Sequence, residues 1–122
     1  MKKMIPILIC AIAEVYAPAA GYAAVPTTFS GTQAAAYKGS YQAQRNLAYG
    51  YVAWPYKGQV KNPVLGCAWY LVVLNSGSPD VGPGDVGNVR VYCGQLDLDA
   101  QSAAIAQARR IYRKVYGRNP NF

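Results

Sequence analysis

The 122-residue chain carries twelve lysines and arginines against five acidic side chains, a net charge of +7, with three cysteines and no histidine. That length has room for one domain. The lack of histidine removes the commonest general base, and three sulfurs alone fall short of the usual four zinc ligands.

In chain order, Lys2-Lys3 precede a mostly apolar run over residues 4–20, and Gly21-Tyr22-Ala23 places small residues where a signal peptidase reads. Residues 1–23 therefore resemble a secretory signal peptide. Glu14 and Pro18 interrupt the run, which leaves a retained, membrane-anchoring helix as the alternative. The run is short for a membrane span, and Ile9 before Cys10 argues against lipidation. If the segment is removed, 99 residues remain. A chain of that size buries roughly 60–70% of its unfolded surface, enough for one modest core.

Residues 24–39 read as a lead-in, polar and turn-like to Thr32, with an Ala-rich stretch over 33–38 able to form a short helix. A single helical domain is expected over residues 40–117. Ser40 caps a helix that runs to about Ala53 and stops before Pro55, because the residue preceding proline is pushed off helical angles. Ala43, Leu47, Gly50, Tyr51 and Trp54 share one of its faces. After a loop over 58–62, Asn62 is an N-cap, Pro63 opens a second helix, and Gly77 offers a left-handed stop. Cys67, Ala68, Trp69, Tyr70, Leu71, Val72, Val73 and Leu74 make this helix apolar on nearly every side, so it must be covered on more than one.

Residues 78–87 hold too much proline and glycine for a regular element. From about Asp85 to Cys93, helix and strand are both compatible with the pattern, and the absence of a second strand favours helix. Asp97 caps a final helix of about 19 residues that Gly117 stops, with Ala104, Ala108, Ile111 and Val115 as its apolar stripe. The remaining five residues, 118–122, show no pattern and read as a loose tail.

Ala43, Leu47 and Tyr51, then Gly58, Val60 and Asn62, then Trp69, Tyr70 and Gly77, give residues 43–77 a resemblance to the Sel-one-like repeat, a short relative of the tetratricopeptide repeat. Ala48 replaces that pattern's first glycine, Gly66 the alanine before its Trp-Tyr pair, and Val73-Leu74 its two small residues, and Trp54-Pro55-Tyr56 lengthens the loop. The resemblance implies an all-α helical hairpin that packs on neighbours, here a long C-terminal helix, and it implies binding rather than catalysis.

Cleavage near Ala23 leaves Cys67 and Cys93, and an oxidising compartment would make one disulfide of them; two buried free thiols are the other reading. No cofactor and no metal is expected. Asp80 and Asp85 could in principle pair for hydrolysis or calcium, but loop aspartates usually form turns. Enzymatic activity is accordingly not expected.

Without Lys2, Lys3 and Glu14, ten cations face four anions, and Arg109, Arg110, Arg113 and Lys114 fall within six residues. They fit either a solvated helix end or a contact with an anionic envelope component such as lipid or glycan. Nine tyrosines remain in the same span. Tyr49 and Tyr56 lie off the apolar stripes and offer rigid contact area.

The expected function is an exported, non-catalytic module, periplasmic or secreted, that binds a protein partner in the cell envelope. An inhibitor of an envelope-acting enzyme and a cationic surface binder are the alternatives. Nucleic acid is disfavoured by export, and no transmembrane span is expected after cleavage.

Overall fold

A computed structural model of the chain describes residues 24–122. The proposed signal segment lies outside these residues. The described chain is all-α, with five helices and no strand: α1 (Phe29–Tyr37), α2 (Tyr41–Val52), α3 (Pro63–Leu74), α4 (Pro83–Gly94) and α5 (Leu98–Tyr116). No helix among them is long and apolar enough to cross a membrane.

The apolar α3 lies at the centre, packed by α2, α4 and α5, as a helix without a polar face requires. Its Cys67, Ala68, Trp69, Tyr70, Val72 and Val73 are all buried. Local signals set the helix ends. Ser40 accepts from the Ala43 N–H, Asn62 from Leu65 and Asp97 from Ala100, while Gly117 closes α5 at φ 67°.

α2 and α3 run antiparallel at close range, and Gly66 permits it. A Cβ there would collide with Val52 Cγ1 and lie 3.2 Å from the Ala48 carbonyl oxygen. The loop between the two helices is closed by the Asn62 N–H donating to Tyr51 O at 2.9 Å. It is pinned from inside by buried Gln59, which donates from Nε2 to Leu47 O and accepts the Tyr56 N–H at Oε1. Those bonds satisfy a polar side chain that would otherwise cost stability inside the core.

Three expectations need correction. The helix allowed over 33–38 is present but begins at Phe29, inside the stretch read as turn-like: Thr28 accepts from the Gly31 N–H, and the buried Thr32 hydroxyl donates to Thr28 O at 2.7 Å. The small side chain of Ala36 then lets α1 lie against α2. Trp54 does not join the stripe of α2, because the helix ends at Val52, and the indole is 77% exposed. The tail is docked. The Arg118 guanidinium donates to Tyr112 Oη at 3.0 Å and lies over the Tyr112 and Tyr116 rings, and the Phe122 ring meets Tyr112 edge to face.

α4 is a helix, as favoured, but it begins at Pro83, so residues 83–87 are helical where a loop was expected, and it is attached differently from the rest. Asp85 is its sole buried residue. Near its end, Cys93 is joined to Cys67 of α3 by a disulfide with a Cα–Cα distance of 5.0 Å. The expected bridge is therefore present, and it reinforces the partial apolar packing that Val89 and Tyr92 give α4.

Candidate functional site: a tyrosine and amide groove between α2 and α4

Gln42, Arg45, Asn46 and Tyr49 recur at the helical spacing i, i+3, i+4 and i+7, which puts four polar or amphipathic side chains on one face of α2. They line a groove of about 280 Å³ with Tyr70 of α3 and with Asn88 and Tyr92 of α4. Tyr70 and Tyr92 stack with ring planes 9° apart and centroids at 5.3 Å, so an aromatic pair at the groove joins α4 to α3 in addition to the disulfide. Burial first, then the neighbouring Tyr92, pushes the Tyr70 phenol far above its ordinary range. It therefore stays neutral.

Behind the groove stands Asp85, 2% exposed and three residues into α4. Its Oδ2 accepts from Tyr41 Oη at 2.7 Å and from the Gly82 N–H at 3.0 Å, where a carboxylate suits the start of a helix. Its Oδ1 lies 3.0 Å from Arg45 Nε, a close ion pair without hydrogen-bond alignment. The same guanidinium sits 5.5 Å from the Tyr41 ring centroid. Desolvation, followed by the bond to Asp85, raises the Tyr41 phenol above its ordinary value.

This wiring fixes Arg45 from behind while a third of its side chain remains exposed toward the groove. Gln42 Nε2 donates to Asn46 Oδ1 at 2.8 Å, which orders two of the lining amides. The arrangement offers fixed donors and acceptors beside aromatic surface, and Asp85 has both oxygens turned inward. Asp80 is exposed in the preceding loop. Among the described residues no group of three or more histidine, cysteine or acidic side chains could hold a metal.

Of the residues singled out from sequence, Tyr49 lines the groove and is 46% exposed. Tyr56 is half-buried in the α2–α3 loop and does not line it. Arg109, Arg110, Arg113 and Lys114 are exposed on α5 but do not converge as a set of four. Arg109 Nε donates to Phe122 O, whereas Lys114 lies 5.0 Å from the Tyr37 ring centroid. Arg110 and Lys114 flank a separate groove over Leu65 and Ile111.

Sequence reasoning missed Arg45, Asn88 and Tyr92, and it named Asp85 only as a possible partner of Asp80, not of Arg45 and Tyr41. The polar face of α2 was readable at helical spacing, but its pairing with a carboxylate forty residues downstream was not. No family model, no curated protein and no solved structure matches the chain.

Proposed function

We propose that the protein is an exported, non-catalytic helical module that binds a protein partner in the cell envelope through the α2–α4 groove. The observation that carries this reading is Arg45, pinned by buried Asp85 and left one-third exposed beside half-exposed Tyr49. Pre-positioned arginine and tyrosine side chains are the residue types that dominate protein interfaces, because little freedom remains to be lost on binding. About 280 Å³, at the lower edge of the roughly 300–1,000 Å³ of small-molecule pockets, is room for one or two inserted side chains of a partner.

The hairpin of α2 and α3 is, in this proposal, a single Sel-like repeat, supported by the buried Trp69-Tyr70 pair and by the left-handed Gly77 at φ 75°. α1 and α5 take the places of stacked neighbours. The Cys67–Cys93 bond supports export, since such bonds persist in oxidising compartments.

A photo-crosslinking amino acid placed at Tyr49, and separately at Arg113, tests the proposal in the producing cell. Position 49 should yield a discrete protein adduct that persists at high salt, and position 113 should not. Adducts from position 113 alone, dispersed by salt, would move the binding surface to the cationic helix.

A further inference from the structure

The loop joining α2 to α3 has a property the groove does not use. Trp54 and Val60 are 77% and 78% exposed, and Lys57 and Lys61 beside them are exposed as well. Exposed apolar side chains on a loose loop can fold back on themselves, but this loop is rigid. Asn62 ties its base to Tyr51, Gln59 is locked inside by Leu47 and Tyr56, and Gly58 makes the reversal at φ 85°. Gln59 is turned inward, and its neighbours Gly58 and Val60 are exposed. The indole and the valine are thus presented outward by construction.

Charge at this end has one sign. No aspartate or glutamate occurs over residues 24–79 or 100–122. Arg110 and Lys114 of α5 line a shallow groove with Leu65, four residues along the chain from Lys61. A protruding Trp and an aliphatic side chain, flanked by lysines whose long stems reach sideways, match the water-to-hydrocarbon boundary of a bilayer, where indole rings concentrate and cations meet anionic headgroups.

We infer that this end of the molecule docks on an anionic phospholipid bilayer, with Trp54 and Val60 entering the headgroup boundary and Lys57, Lys61, Arg110 and Lys114 contacting lipid phosphates. The loop shares no lining residue with the α2–α4 groove, although it adjoins it, since the Trp54 N–H donates to the Tyr49 carbonyl oxygen. The mode is interfacial, since no described helix can span.

Two tryptophans make the test direct. Trp69 is buried at 1% exposure and reports a constant background, so a change in tryptophan emission reads Trp54. The full chain, recovered after export, is titrated with vesicles of phosphatidylglycerol and, separately, of phosphatidylcholine. Phosphatidylglycerol should move the emission to the blue and protect it from acrylamide, phosphatidylcholine should do neither, and Trp54→Phe should abolish the response. Lys57→Gln with Lys61→Gln should weaken the phosphatidylglycerol affinity by about 25-fold, roughly fivefold per cation. Unchanged Trp54 emission at saturating phosphatidylglycerol overturns the inference even if the protein sediments with the vesicles, because another surface or residues 1–23 would then be responsible. An equal response to phosphatidylcholine also overturns it.

Discussion

Two clusters in this protein combine tyrosine with a cation, and they are built on different principles. Around Asp85, the Tyr41 hydroxyl, the Gly82 N–H and Arg45 converge on one buried carboxylate, and Tyr70 stacks on Tyr92 beside them. At the far end of α5, Arg118 bonds to Tyr112 Oη and lies over two rings, and Lys114 lies over Tyr37, with no acidic residue present. The first cluster fixes its cation, and loss of Arg45 would strand the buried Asp85 carboxylate. The second leaves its cations at the surface, where each contact is worth little and the charges stay free for solvent or a partner.

The sharpest way to break this contrast is to release α4. Replacing Cys67 and Cys93 together with serine should cost about 3 kcal/mol, from the chain entropy of a loop closed across 26 residues, read as a lower denaturant midpoint. It should also abolish crosslinking from position 49, because α4 supplies one wall of the groove. Next comes Asp85→Asn. Loss of the carboxylate leaves Arg45 without its counter-charge, and because that arginine is one-third exposed, the cost should be about 2 kcal/mol, below that of a fully buried pair. A midpoint unchanged by Asp85→Asn would mean that the cluster is ornament to the disulfide.

Alkaline titration sharpens the comparison through the tyrosines. Burial raises Tyr70 and Tyr41 above the ordinary value of 10.0, so the unfolded chain releases those protons first. Their contribution should be whole below pH 10 and decline as pH rises through the raised values, with the loss followed by denaturant melts at successive pH. The smallest effect belongs to the exposed cations of α5, of which Lys114 is a member of the second cluster. Changing Arg109, Arg110, Arg113 and Lys114 together to glutamine should alter stability by no more than about 1 kcal/mol, since lost dipole and ring contacts are offset by relief of like-charge pairs at i,i+4. A collapse in the melt would show that the Arg109–Phe122 and Lys114–Tyr37 contacts hold the tail and α1 in place.

What could be read from sequence followed from the range of the interaction. Caps at Ser40, Asn62 and Asp97 act within three residues, and all were legible, as was α3 as the central helix from its unbroken apolar run. The Cys67–Cys93 bond was legible by elimination once residues 1–23 were set aside. The start of α1 was not, because Thr28 and Thr32 hydrogen-bond within the helix they begin, whereas the same residue types equally suit turns. Trp54 was misplaced because periodicity names a face without saying at which residue the helix stops. The groove was invisible for a deeper reason: Tyr41 and Asp85 are 44 positions apart, and neither carries a local pattern that points to the other.

The attachment of α4 at its two ends also sets how the molecule breathes. With Asp85 its one fully buried residue and Val89 and Tyr92 only partly buried, this helix opens locally between its tethers at a lower free energy than α3 needs, so its amide hydrogens should exchange with solvent sooner. A ligand bridging Asn88 and Tyr92 to α2 would suppress that opening. Occupancy of the groove would then register as slowed exchange confined to one helix, with the rest of the protein unaltered.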